Sequence, residues 1–134
     1  MNYKSIFFFL AVYSILISFF SILNILYSIY FDFIIGINSY LVTLGISIGL
    51  GTVLCFIGYK YAKSISLTEQ IIFLVLSFAL IPLLIGIPYY LSIYDFNFLD
   101  AYFESVSGFT TTGFSLIKDI ERIDEPLLLW RSSS

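Results

Sequence analysis

From Ser5 to Phe31 the chain carries no charge and is dense in Ile, Leu and Phe. A helix needs roughly 20 apolar residues to cross a bilayer, so this run predicts a first transmembrane helix with length to spare for tilt. It far exceeds the ~7–15 residues of a signal-peptide core, and no A-x-A site follows, so a retained helix is expected. Asp32 marks a brief exit. A second uncharged run extends from Phe33 to Tyr59 and ends at Lys60 and Lys63. Within it Gly45 and Gly49, joined by Gly51, make a GxxxG spacing of the kind that lets helices approach closely. The connector from Lys60 to Gln70 is polar, with Ser66 or Thr68 placed to cap the next helix and Glu69 in its first turn. A third apolar run goes from Ile71 to about Tyr94 and holds Pro82 and Pro88. Each proline removes a backbone donor. A membrane tolerates this where neighbouring helices satisfy the freed carbonyls, so this helix is expected inside a bundle.

After Tyr94 the pattern changes. In DFNFLDAYFESVSGF, Phe98, Leu99, Tyr102, Phe103 and Val106 recur at helical spacing, with Asn97 or Asp100 available as N-cap and Gly108 as a stop. Such a helix has about ten residues, or ~15 Å at the usual rise. That is half a bilayer. It leads into SGFTTTG, Ser107 to Gly113, where three threonines stand between two glycines. Two readings are open at this point. One is an interfacial helix followed by an external turn. The other is a re-entrant helix whose C-terminal end, carrying partial negative charge, stops near mid-membrane before the loop returns in extended form. The second geometry suits a cation, because backbone carbonyls in a narrow loop replace the hydration shell of potassium.

The charged stretch Phe114–Pro126, with Lys118, Asp119, Glu121, Arg122, Asp124 and Glu125, predicts a solvated loop. Pro126 fits the first turn of a further helix opening with LLLWR. In it Trp130 suits a membrane interface, and Arg131 is placed to snorkel or to pair with an acid such as Glu125. From Pro126 to Ser134 there are about nine residues, ~13 Å of rise, so the expectation is of a chain cut short before this helix crosses.

Composition agrees with the apolar runs. The chain has 134 residues, 60% hydrophobic and only 11% charged, with a mean hydropathy of +1.01. Ordinary soluble domains carry about a quarter charged residues, so an all-α integral membrane protein is expected. Six Lys and Arg scattered singly make no basic stripe, which excludes nucleic acid as a partner. The absence of histidine removes the commonest general base. With no GxSxG and no lysine near the threonines, an intramembrane serine or threonine hydrolase is not expected. No GK[ST] follows the glycine-flanked loop, so it is not a phosphate cradle. Cys55, the single cysteine, lies in an apolar run and reads as a packing residue. The lysines set orientation: Lys4, Lys60 and Lys63 fall on one side if the amino terminus is cytoplasmic, which puts Asp95, Asp100 and SGFTTTG outside.

The stretch FESVSGFTTTGFS, followed after a charged loop by EPLLLWRSSS, resembles the first pore repeat of the Trk/Ktr/HKT family of cation transporters, the TrkH-type branch most of all. The order of elements matches too, with two long runs ahead of the proline-bearing third. The resemblance implies three transmembrane helices, a re-entrant pore helix with a filter loop, and the truncated start of a fourth transmembrane helix. Residues 1–69 would form a two-helix membrane region and residues 70–134 an incomplete first helix–pore–helix repeat. It further implies the N-terminal portion of a potassium uptake transporter in a bacterial inner membrane, multi-pass, contributing one of four filter loops. Thr110, Thr111, Thr112 and Gly113 would be the ion-binding residues, with potassium at Thr111 and Thr112. Glu104, Ser107 and Gly108 would support the pore helix. Partners implied are the bilayer, potassium, the remainder of the transporter, a second copy in a homodimer and a cytosolic nucleotide-binding TrkA-type subunit. No cofactor is implied. The alternative is a small membrane interaction protein, or a non-functional remnant, whose SGFTTTG is an external turn.

Overall fold

A computed structural model describes residues 3–61, 66–116 and 123–133. It is all-helical, with α1 at Tyr3–Tyr30, α2 at Ile37–Gly58, α3 at Leu67–Tyr90, α4 at Phe98–Phe109 and α5 at Glu125–Ser133. The first three are long and apolar enough to cross a membrane. Together with the composition they make this a multi-pass membrane protein.

Helix ends follow local chemistry. α1 stops where Asp32 adopts a left-handed φ of 58°, and a single 3-10 turn, Ile34–Gly36, leads into α2. α3 begins at Leu67, four residues before the apolar run itself. The reason is a capping box: Ser66 Oγ accepts from the Glu69 N–H, and the Glu69 carboxylate accepts from the Ser66 N–H at 3.0 Å. Of the two predicted caps, Ser66 is the one used. The helix ends at Tyr90 instead of Tyr94, because the chain turns over the next residues and Asp95 takes a φ of 50°.

Burial is inverted relative to a soluble protein. Ser21, Ser28, Thr43 and Ser47 are all 0% exposed, whereas Phe56 is 86% exposed. In hydrocarbon an outward leucine or phenylalanine costs nothing, and helix association depends on close packing of small residues. Two of these hydroxyls are satisfied within their own helices, Ser21 Oγ donating to the Ile17 carbonyl at 3.0 Å and Thr43 Oγ1 to the Ser39 carbonyl at 2.8 Å, while Ser28 and Ser47 Oγ meet no partner among the described residues.

The close seam between α1 and α2 uses other glycines than the GxxxG pair. A Cβ at Gly45 or Gly49 would meet nothing within 4 Å. At Gly51 it would lie 3.1 Å from Ile15, and at Gly58 2.5 Å from the Phe8 backbone nitrogen and 2.8 Å from the Lys4 carbonyl. The two helices are therefore antiparallel, and Lys4 and Lys60 share one end of the bundle. Lys63 lies outside the described residues.

α3 crosses α1 through Phe73, whose ring is 5.8 Å from both Phe9 and Tyr13. α4 then folds back along α3. Phe98 at its start sits 6.4 Å from Tyr90, and Phe109 at its end 5.5 Å from Phe78, the middle of α3. Between these points Gly86 admits α4 closely, a Cβ there being 3.1 Å from Ser105 Oγ and 3.5 Å from the Ala101 carbonyl. α5 starts beside the end of α1, where Tyr27 donates to Glu125 at 2.8 Å. The core gathers where α5 enters, around Tyr40, Ile81, Ile85, Tyr89, Ala101, Leu127 and Trp130.

Trp130 corrects the interface expectation. It is 2% exposed, sets its ring 5.8 Å from that of Tyr40 at a tilt of 52°, and donates its indole N–H to the Ile85 carbonyl at 3.0 Å.

Candidate functional site

The distinctive part of the bundle is the end of α4. The helix runs through Gly108 and closes at Phe109, one residue beyond the predicted stop. Asn97 occupies the N-cap position but makes no side-chain capping bond. The helical spacing of the apolar residues holds. Ala101, Glu104, Ser105 and Ser107 are the buried residues, while Phe98, Leu99 and Phe103 are exposed. The small and polar face packs inward, as on α1 and α2.

The helix ends in a Schellman arrangement built on threonine. The Thr111 N–H bonds the Gly108 carbonyl at 2.9 Å, and the Thr112 N–H bonds the Ser107 carbonyl at 3.1 Å. This reversal needs a left-handed residue, usually glycine, and here Thr111 takes it with φ 55°. The segment after Phe109 is thus a tight turn first, and leaves helical form only from Thr112. Gly113 has φ 76°, a conformation a side chain reaches only at a cost.

The hydroxyls turn inward. Thr110 Oγ1 donates to the Val106 carbonyl and Thr111 Oγ1 to the Thr110 carbonyl, both at 2.7 Å. Thr112 Oγ1 reaches the Ser107 carbonyl at 3.4 Å. Ser107 Oγ, buried, donates to the Phe114 carbonyl and ties the helix to the limb leaving Gly113. Among the described residues, no donor meets the carbonyls of Thr111, Thr112 or Gly113. Among the described residues, these carbonyl oxygens thus stand without a donor beside the negative end of a helix. No group of three or more His, Cys, Asp or Glu that could hold a metal occurs among the described residues.

Glu104 is the hub of this end. Its side chain is fully buried, and its Oε1 accepts from Ser115 Oγ at 2.8 Å and from the Leu116 N–H. Oε2 lies 3.5 Å from Arg131 Nε. Arg131 thus pairs with Glu104, and Glu125 instead accepts from Tyr27. A buried charge of this kind is tolerated in a membrane only with such partners. Gly108, half-buried, supplies the carbonyl that Thr111 takes.

The charged loop divides. Lys118, Asp119, Glu121 and Arg122 lie outside the described residues. Asp124 is held by Tyr94, whose hydroxyl donates to Oδ1 at 2.7 Å and accepts from the Asp124 N–H at 2.8 Å. Partial burial and the bond to Asp124 raise the Tyr94 phenol above its usual 10.0.

Depth completes the geometry. The Phe109 ring lies 6.5 Å from Tyr13 and 5.5 Å from Phe78, each near the middle of its helix.

Two known proteins are similar to part of this chain. A protein described as an uncharacterized cation transporter, from Methanocaldococcus jannaschii, is 37% identical over 70 residues, covering 52% of this chain and 15% of that protein. The Trk system potassium uptake protein TrkI of Halomonas elongata is 42% identical over 55 residues, covering 41% of this chain and 10% of that protein. Both are cation transporters by name. These matches support a cation transporter family and point away from an enzyme. The matched stretches span a small fraction of either relative's length. No family model matches the chain, and no solved structure matches it.

Two features of the site escaped the sequence reading. The Glu104–Arg131 pair was visible as the charges left inside α4 and α5, but spacing alone could not match one to the other across 27 positions. The other belongs to the bundle around the site: the inward serines of α1, Ser14, Ser18, Ser21 and Ser28, follow a three-and-four spacing that marks one helix face.

Proposed function

We propose that this chain is the N-terminal portion of a potassium-type cation uptake transporter, and that α4 is a re-entrant pore helix whose loop Thr110–Gly113 supplies one strand of a selectivity filter. The observation that carries the reading is the course of α4. It starts beside Tyr90 at the end of α3 and stops beside Phe78 and Tyr13, half-way along two membrane-spanning helices. The chain is then back beside Tyr27, at the end it left, when α5 begins. An interfacial helix would stay at that end throughout. The carbonyls of Thr111, Thr112 and Gly113, which meet no donor among the described residues, support the assignment of the ion to this turn, with potassium at Thr111 and Thr112. The lysines at the opposite end support a cytoplasmic amino terminus. The two relatives supply the choice of potassium as cargo, because one of them is named for its uptake.

The test is a chimera in which this chain replaces the matching segment of the Halomonas elongata TrkI protein, expressed in a bacterium lacking potassium uptake. Growth at low potassium is expected. Gly113→Val is expected to reduce uptake about a hundredfold at unchanged membrane abundance, since a β-branched residue at positive φ re-aims the carbonyls on either side. Uptake that survives this substitution would sink the filter assignment.

A further inference from the structure

We propose that Glu104 is a positioning residue that couples α5 to the limb of the loop after Gly113, so that a displacement of α5 is felt at the cation-facing turn. The inference rests on the filter reading above for its consequence, but its geometry stands apart from it. The two oxygens of one buried carboxylate face different parts of the molecule. Oε1 holds Ser115 Oγ and the Leu116 N–H, on the limb that leaves Gly113. Oε2 faces Arg131 of α5. Among the described residues, the turn's other restraints come from α4 itself, through Ser107, Gly108 and Val106. Among the described residues, then, α4 holds the turn up to Phe114, and beyond it Ser115 and Leu116 are held by a carboxylate whose other oxygen faces α5.

A carboxylate is suited to this role. It accepts from several donors at once, and an acceptor bearing charge binds an N–H more tightly than a neutral one. The two oxygens are rigidly joined, so a rotation of the carboxylate that follows Arg131 also moves Oε1 relative to the Leu116 amide. A plain helix-to-helix ion pair has no such third party. Its loss would loosen α5 against α4 and leave the loop unchanged.

The experiment is amide hydrogen exchange, followed by NMR on the 134-residue chain in lipid nanodiscs. It reads Leu116 against Thr112, whose N–H is held by the Ser107 carbonyl and serves as the internal control. Glu104→Ala is expected to speed Leu116 exchange at least about tenfold, the equivalent of one charge-assisted hydrogen bond, with Thr112 unchanged. Glu104→Gln keeps an acceptor at Oε1 and is expected to retain most of the protection. Arg131→Met leaves the carboxylate in place without its orienting partner, so it is expected to speed Leu116 exchange by a smaller factor. The exchanged pair, Glu104→Arg with Arg131→Glu, restores an ion pair but places no acceptor at Leu116, and is expected to stay fast there. Two outcomes overturn the proposal: Leu116 exchange unaffected by Arg131→Met, or protection recovered by the exchanged pair. If Glu104→Ala does not fold, Glu104→Gln and Arg131→Met decide by themselves. None of these measurements needs transport. A chimera that ignores Gly113→Val would remove the filter reading and leave the coupling intact, whereas a chimera whose potassium preference over sodium shifts on Arg131→Met would join the two.

Discussion

Thr111 holds a conformation that β-branched residues avoid, and it does so to close a helix. The left-handed region costs a non-glycine residue on the order of 1–3 kcal/mol. Such strain persists where surrounding bonds over-determine it, and the amides of Thr111 and Thr112 and three threonine hydroxyls do that here. Thr111→Gly is therefore expected to raise stability by about 1 kcal/mol, read as a higher melting temperature in detergent, while lowering uptake by the chimera because the turn loses its rigidity. Tyr94 gives a second residue-scale prediction. Its raised phenol favours the protonated form in the folded state. That contribution is complete below about pH 10 and is lost as pH rises through the higher folded value. Melting temperature should fall across this alkaline range, and Tyr94→Phe should flatten that part of the fall. Neither feature was legible in the sequence. TTTG shows that a turn is coming, but which residue takes the positive φ depends on where the helix carbonyls find donors, and Gly108 looks the better stop on paper.

At the scale of elements the long helices were plain and their neighbours were not. Lipid demands a minimum apolar length, so length and the absence of charge placed α1, α2 and α3 to within a few residues. Lipid also removes the hydrophobic contrast between one helix face and another. An outward leucine and an inward one look the same in the chain, and the choice of face falls to small residues. The GxxxG pair satisfied the spacing but faces open space, whereas Gly51 and Gly58 face α1. Gly58→Ala is expected to destabilise the α1–α2 hairpin by about 1–3 kcal/mol, since its Cβ would meet backbone atoms that cannot step aside. Gly45→Ala and Gly49→Ala should be neutral to slightly stabilising. Unfolding in graded detergent mixtures measures all three. Trp130 was misplaced for a related reason. Its amphipathic ring fits an interface by type, but the indole N–H found a carbonyl inside the bundle.

On the whole-molecule scale, among the described residues, many Ile, Leu and Phe face outward while Ser, Thr and Gly share the interior with an apolar core around Tyr40, Ile81, Ile85 and Trp130, and most charged groups lie at the two ends. Lys4 and Lys60 mark one end, and Asp32, Asp124 and Glu125 the other. Among the described residues α4 departs from this layering, carrying a carboxylate that meets Arg131 of α5 and leading into three threonines at the level of Phe78. That depth has an electrical consequence. The potential across a bilayer acts on a unit charge with about 2.3 kcal/mol per 100 mV over the full thickness. A cation resting at the tip of α4 has crossed roughly half of that field, so 100 mV would change its occupancy there about sevenfold. A membrane potential would then load this turn from one side and drain it from the other, with no moving part required.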